Sequence, residues 1–514
     1  MHLLEAPSIL ALLCLVLPAR VQDEVQRQYG LLHRSEKAYP GYTLLNPLNS
    51  TKAVLVDMDG KIVHEWETGT KPGGCFYLLD DGSLLRSAFV ANTPRFFGGG
   101  KSGRLQRFTW EGELVWDYLM ADDFQTFHHD VEPLPNGNFL AIVWEHRFRE
   151  DAIVIGRDPD QISDKGMWSD AVYELRPLPP DDAEIVWEWH VWDHLIQDFD
   201  SDKDNFGSIP DHPELLDINA DHRDRPAMTE KQRQEQEENE KQMRALGYIG
   251  EDEDDSSNGS QGDSRGANTL PDWLHTNAVA YHAELDLIAL STPNLNELWV
   301  IDHSLSTEDA AWNSGGRFGK GGGLLYRWGN PRNYGEGDVG DRKLFYQHDP
   351  KWIGGAEDLR LLVFNNGNGR EGEFSSVEEL PLPFDSEKGF ERASGEAFGP
   401  AEPSWVHSDK GNFYAAFISG AQRLPNGNTL ICEGPKGRVF EVTTEGEVVW
   451  DFVNPVGGES NTEDRPPPAP STGQSPTPSQ ASTRPQPSTP PKALFRATRI
   501  GLDHPAVHER LLQK

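Results

Sequence analysis

The chain has 514 residues, with 47 Lys and Arg against 83 Asp and Glu, a formal net charge of −36. That balance excludes a nucleic-acid binder, because such a surface repels phosphates. With only 3 cysteines a disulfide-built scaffold is excluded too, and the length allows a large buried core.

In chain order, an apolar run over residues 8–19 comes first. It is too short to span a membrane and has the length of a signal-peptide core. Residues 1–22 are therefore expected to be a signal peptide, cut near Ala19, and the protein to be secreted or periplasmic. Cys14 leaves with such a leader. Cys75 and Cys432 remain, either as one disulfide or as two separate buried thiols. No other stretch looks able to enter a membrane.

From residue 40 a two-part repeat begins. Its first part is a turn before an apolar strand: Asp81-Gly82 before Leu84, Asn136-Gly137 before Phe139, Asn426-Gly427 before Leu430. Asn-Gly and Asp-Gly supply the positive φ of tight hairpins. Its second part is a strand bearing tryptophan: Trp66, Trp116, Trp187 with Trp189, Trp450, and a weaker copy at Trp328. Strand alternation recurs and no long helical period does. A repeat of roughly forty to fifty residues, each of about four short strands, predicts an all-β chain folded as a six-bladed β-propeller. Blades are expected over residues 41–66 and from near Phe76, His128, His275, His348 and Trp405. A pair of β-sandwiches is the rival use of so many tryptophans, and the regular turn-plus-Trp spacing argues against it.

The propeller is thus placed at 40–198 and 270–455. Between them, 199–269 reads as an acidic insertion, with an exposed helix over 229–245 and a disordered stretch over 251–267. Asp198, Asp200, Asp202 and Asp204 alternate as in a calcium loop. Asn205 stands where glycine is usual and Asp211 where the closing Glu belongs, so a solvated acidic turn is the better reading. Residues 457–491 read as a Pro/Ser/Thr-rich linker. Residues 492–504 read as a closing strand that completes the first blade and removes an exposed edge.

Three histidines share one place in the repeat. His129, His275 and His348 each open a β-like segment, and an apolar run follows each one. Equivalent positions in a closed repeat fold converge on one channel or rim. In Asp272-Trp273-Leu274-His275-Thr276-Asn277, strand alternation puts His275 and Asn277 on one face. The plainer reading is that such histidines satisfy backbone groups or line a wet channel. His128 suits that reading better than His129, and His407 is a surface or packing residue before it is a fourth channel residue. Three imidazoles also suit zinc or copper, with Asp130 and Asp349 as outer partners. Such a metal site ranks below a metal-free one. A quinone-dependent propeller is disfavoured because no adjacent cysteine pair is present. A secreted binding platform without catalysis is the reading from a different class.

Taken in order and spacing, Phe127-His128-His129-Asp130, Asp272 through Asn277 and Gln347-His348-Asp349 resemble the bacterial arylsulfate sulfotransferases, over roughly residues 40–455. The resemblance implies a six-bladed propeller with histidines in its central channel. It implies ping-pong transfer of a sulfuryl group from a phenolic sulfate ester to a phenol, with no nucleotide donor and no cofactor. By resemblance His348 matches the transiently sulfated nucleophile. His275 and Asn277 match the pair that binds and protonates. His129, or with less weight His128, matches the third channel histidine. The family's sulfate-clamping arginine is replaced by Pro293. Arg327 and Arg370 are the nearby substitutes, and Asn294, Asn365 and Asn366 are candidate hydrogen-bond donors to the substrate.

Overall fold

The computed structural model describes residues 29–91, 93–220, 238–239, 241–244, 271–457 and 492–513. The expected signal peptide, nearly all of the expected insertion helix, the stretch expected to be disordered and nearly all of the linker lie outside the described residues.

The chain is all-β and propeller-like, built from antiparallel four-strand meanders. The first joins Leu494–Gly501 to Gly41–Pro47, Lys52–Val56 and Ile62–Glu67. The second runs Pro72–Leu78, Leu84–Phe89, Gly103–Phe108, Leu114–Leu119. The third runs Gln125–Pro133, Phe139–Arg147, Met167–Leu178, Asp182–His190. The fourth runs Ala278–His282, Leu287–Thr292, Glu297–Asp302, Tyr326–Trp328. The fifth runs His348–Ile353, Arg360–Asn365, Ser376–Pro381, Trp405–Ser408. The sixth runs Gly420–Arg423, Thr429–Glu433, Arg438–Val442, Val448–Val453, and Gly30–Arg34 is added at its outer edge. The first strands of successive meanders touch one another in a closed series, from Pro72–Leu78 round to Leu494–Gly501 and back. In the first meander Leu494–Gly501 pairs with Gly41–Pro47, with Tyr42 opposite Ile500 and Leu44 opposite Thr498.

The recurring tryptophan has a common task. The fourth strand of each meander carries an indole that donates to a carbonyl in the connection before the last strand of the next meander, or at that strand's start, and Asp182–His190 carries a second, Trp189, on Gly322 O at 2.7 Å. Trp66 donates to Thr109 O at 3.0 Å, Trp116 to Asp182 O at 2.8 Å, and Trp187 to Leu305 O at 3.0 Å. Trp328 donates to Pro400 O at 2.8 Å, Trp405 to Thr444 O at 2.8 Å, and Trp450 to Met58 O at 3.0 Å. Sheets that fan out from an axis separate with radius, so their outer gaps need the largest side chain. An indole fills such a gap and still finds a partner for its N–H. Trp405 is therefore the outermost strand of the fifth meander rather than the start of a sixth repeat unit. The hairpin glycines do as expected: φ is +85° at Gly82, +86° at Gly137 and +88° at Gly427.

The first part of the expected insertion packs against the body. Leu216 and Ile218 are fully buried in the apolar cluster of the third and fourth meanders. Leu195–Ile196 pairs in parallel with Leu216–Asp217. The acidic loop after Asp198 is organised by Gln197, whose Oε1 accepts from Phe199 N and Asp200 N, both at 2.7 Å. Cys75 and Cys432 are both buried and free.

Candidate active site

The innermost strands are bent where the site lies. Pairing of Gln125–Pro133 with its neighbour shifts register between Ala141 and Val143. His129 there has φ +52°. A second shift follows His348, with Asp349 at φ +54°. Bulges of this kind re-aim side chains. The first one lets two consecutive residues meet, against normal strand alternation: His128 Nδ1 and His129 Nδ1 are 2.8 Å apart. Neighbouring strands make room. A Cβ on Gly74 would lie 1.6 Å from His129 O, and one on Gly420 would lie 2.2 Å from an Asp349 oxygen. A Cβ on Gly100 would strike the His129 ring.

The structure brings His129, His275 and His348 together. The rings of His129 and His275 are 4.4 Å apart between centroids and nearly perpendicular. His348 is close enough that its charge would bear on His129. His348 Nδ1 faces two acceptors, Asn366 Oδ1 at 2.8 Å and Tyr346 O at 3.1 Å. Asn366 is oriented by its own amide, which donates to Ala415 O at 2.7 Å and Ile418 O at 2.9 Å. Nδ1 of His348 must therefore carry the proton, and Nε2 the lone pair. Burial, reinforced by nearby His275 and Arg496, holds the His348 pKa down at about 3 in spite of its hydrogen bonds, so the ring is neutral. Burial first, then its cationic neighbours, also pushes His129 well down.

His275 is the opposite case. Burial works against its charge, but the Asp272 carboxylate, bonded to its Nδ1, and nearby Asp170 lift its pKa above the ordinary value. Its Nε2–H is left facing away from Asp272. Asp170 itself is raised to about 7 by burial and by Asp272, while Thr276 N donates to it at 2.9 Å. His128 is buried, stacks on Trp144 at 4.2 Å, and points Nε2 at Asp170 Oδ1 from 3.7 Å. Side-chain exposure is 14% at His275 and 16% at Asp272, against 2% for His348 as a residue and 0% for His129. A cleft of about 380 Å³ lined by Glu145, Arg147, His190 and Trp192 includes none of these histidines.

The expected substrate donors turn out to be committed to the protein. Asn277 Nδ2 donates to Gln347 O at 2.8 Å, which ties the fourth meander to the approach to His348. Asn294 Nδ2 donates to Asp272 O at 3.0 Å and its Oδ1 accepts from Tyr346. Asn365 donates to Lys343 O and Glu378. Arg327 is not brought to the histidines. It is fully buried, with Nε and a terminal nitrogen on Glu297 at 3.1 and 2.7 Å and another nitrogen on Leu215 O at 3.0 Å. Anchored on Glu297 and Leu215 O, away from the histidines, it is not placed to serve as a sulfate clamp.

The cation at the site is Arg496, on the closing strand. It donates to Asp130 Oδ2 at 2.7 Å and to Asn277 O at 3.2 Å. Its Nε lies 3.1 Å from Asp349 Oδ1, close enough for charge pairing though not aligned as a hydrogen bond. Lys351 adds a second cation, 3.5 Å from Asp349 and 3.9 Å from Glu132. Sequence reasoning missed Arg496, Asp170 and Asp272 as site members. For Arg496 one signal was present: it stands in the strand expected to close the first blade.

The arylsulfotransferase (ASST) family profile matches residues 33–451. No curated protein matches the chain. Similar solved structures include a protein of unknown function from Bacteroides caccae, 12% identical with a TM-score of 0.38 over 81% of this chain and 94% of that one. The β-propeller domain of Cps50 (Swd1) from Myceliophteria thermophila is 9% identical with a TM-score of 0.33, over 83% of this chain and 90% of that one. Virginiamycin B lyase from Staphylococcus aureus is 9% identical with a TM-score of 0.32, over 84% and 89%.

Proposed function

Because the chain belongs to the arylsulfotransferase (ASST) family, we propose that it moves a sulfuryl group from a phenolic sulfate ester to a second phenol through a sulfated His348. No nucleotide donor and no cofactor take part. The observation that carries this is the neutral His348 ring, with its proton fixed on Nδ1 by Asn366 and Tyr346 O. That leaves the Nε2 lone pair as the nucleophile.

In the first half-reaction Nε2 bonds to sulfur, and the sulfur–oxygen bond to the aryl group breaks. The departing oxygen keeps the electron pair and takes a proton from His275 Nε2. The imidazolium formed at His348 is stabilised by Asn366 Oδ1 on Nδ1–H. In the second half the acceptor phenol attacks sulfur and gives its proton to His275, and the N–S electron pair returns to His348. Acid–base help of this kind contributes roughly 10²–10⁴-fold. The sulfuryl oxygens meet His129 and the positive charge of Arg496, in place of the arginine that Pro293 displaces. Asp272 is a positioning residue that keeps His275 protonated. Substrate enters on the side of Asp272 and His275, which are more exposed than His129 and His348.

The scaffold reading is a single six-bladed propeller over 40–198 and 270–455, closed by 492–504. The closed series of innermost strands and the circuit of indole hydrogen bonds support it. The apolar leader supports a secreted or periplasmic location.

The test is mass spectrometry after incubation with 4-nitrophenyl sulfate and no acceptor. The peptide containing His348 is expected to gain the mass of SO₃ as nitrophenol is released, and His348→Asn to gain nothing. Release of nitrophenol without a histidine adduct would overturn the covalent step. No release at all would leave the binding-platform reading in possession.

A further inference from the structure

Beside His348 stands a ladder of cations and aromatic rings that the reaction above does not use. Arg342 lies over the Phe345 ring at 4.3 Å, Arg370 over Phe345 at 5.2 Å and over Phe374 at 4.5 Å, and Lys410 over Phe374 at 4.6 Å. The ladder is fastened to the reaction centre through the backbone. Phe345 N donates to Asn365 Oδ1 and Gly367 N to Phe345 O, both at 2.9 Å. Asn366, between those two partners in sequence, is the residue that holds His348 Nδ1. Phe345 precedes His348 by three residues, so their backbones lie within about 10 Å at roughly 3.3 Å per residue. A substituted aryl sulfate is long enough to reach across that span.

These cations are poorly matched by acids in a protein whose net charge is −36. Several other covered arginines meet carboxylates, Arg327 with Glu297, Arg392 with Glu336, Arg438 with Asp451 and Arg499 with Glu441, while Arg86 is held by Thr68 and the carbonyls of Thr70 and Lys71. In the ladder, Arg370 has Glu378 at 3.5 Å. Among the described residues the Arg342 guanidinium makes no ion pair or hydrogen bond, and its Nε is buried without a partner. The exposed neighbours Asp341, Glu371, Glu373 and Asp409 form no ion pair with the three cations among the described residues. A guanidinium laid on an aromatic face is partly desolvated, and an anion that reaches it gains more than it would in water.

We propose that this ladder is a second anion subsite, which holds a carboxylate of the phenolic substrate while the sulfuryl group lies at His348. The inference rests on the sulfuryl-transfer reading and names its substrate class: phenols that carry a carboxylate, and their sulfates. Arg342 is the main donor to that carboxylate, and Lys410 adds long-range attraction. Arg370 holds the two rings in register.

The experiment compares 4-methylphenyl sulfate with 4-(sulfooxy)phenylacetate, whose phenols are similar leaving groups, in wild type, Arg342→Met and Arg342→Lys, each checked for an unchanged melting temperature. Wild type is expected to prefer the carboxylated donor in kcat/KM by about tenfold or more, the scale of one charge-assisted hydrogen bond. Arg342→Met is expected to remove that preference while the donor without a carboxylate stays within about twofold, and Arg342→Lys to keep part of it. Equal kcat/KM for both donors in wild type, or a parallel fall for both in Arg342→Met, overturns the subsite. If neither donor turns over, the sulfuryl-transfer reading fails by itself. Calorimetric binding of 4-hydroxyphenylacetate against 4-cresol, in wild type and Arg342→Met, then decides the subsite separately.

Discussion

Around the periphery, six indoles each donate to a carbonyl of the next meander at 2.8–3.0 Å, and the same bond is repeated with the same residue. Around the axis the repetition is only partial, limited to the histidines His129, His275 and His348. The innermost strands and their approaches bring Arg496, Cys75, His129, Asn277, His348 and Gly420 towards one another, five residue types from six meanders. The periphery needs only to hold neighbours together, so one good solution serves everywhere. Reactivity needs unlike groups side by side: a neutral imidazole, a charged one, and a cation among carboxylates. Repetition would destroy that. The difference separates two kinds of substitution, those expected to lower stability and those expected to lower rate.

The largest stability effect is expected from Trp450→Ala. Trp450 is fully buried and its indole donates to Met58 O between the last and first meanders. Removing it should cost about 3–5 kcal/mol in urea unfolding, with kcat per folded molecule unchanged. A fall in kcat for the folded protein would break the separation of periphery from axis.

Asp272→Asn should do the reverse. Its carboxylate is what raises His275 against burial. Without it, the His275 pKa drops and the alkaline limb of the rate profile moves to lower pH. Turnover near pH 8 should fall by about 10–100-fold, within the range of acid–base catalysis. The sign for stability follows from linkage. A histidine whose folded pKa is raised contributes stability fully below its unfolded value and loses it as pH rises through the raised one. Unfolding measured from pH 6 upward should show that loss in wild type and not in Asp272→Asn. A rate profile that scales down without shifting would make Asp272 merely structural.

The smallest effect is expected from Trp405→Phe. Trp405 is only half-buried, and the change removes chiefly its bond to Thr444 O. About 1 kcal/mol or less is expected in the same unfolding assay. A cost near that of Trp450→Ala would mean that the six bonds act as one cooperative circuit.

What could be read from the sequence follows the same division. The tryptophans and the Asn-Gly and Asp-Gly turns recur at fixed offsets, so periodicity alone exposed the meanders. His129, His275 and His348 were visible because they break into that rhythm at one shared place. Arg496 was not, because nothing local marks it. Its meaning lies in meeting Asp130 and Asp349, which are remote in sequence. The partners of the asparagines were not legible for a related reason. An amide looks the same in sequence whether it faces a ligand or a carbonyl, and Asn277, Asn294 and Asn366 each face carbonyls. Arg327 was offered for its proximity in sequence, while Glu297 already held it.

The position of Arg496 on the last strand also gives the site a history. On a ribosome, Asp130 and Asp349 are made well before the guanidinium that lies between them. Until Leu494–Gly501 emerges and docks on Gly41–Pro47, those carboxylates face each other's neighbourhood without that counter-charge, and the imidazoles lack their cationic neighbour. A nascent chain stalled before this strand would carry every histidine of the site and still lack its finished electrostatic setting. Competence for chemistry would then arrive in a single late event, at the moment the two ends of the barrel-like ring are zipped together.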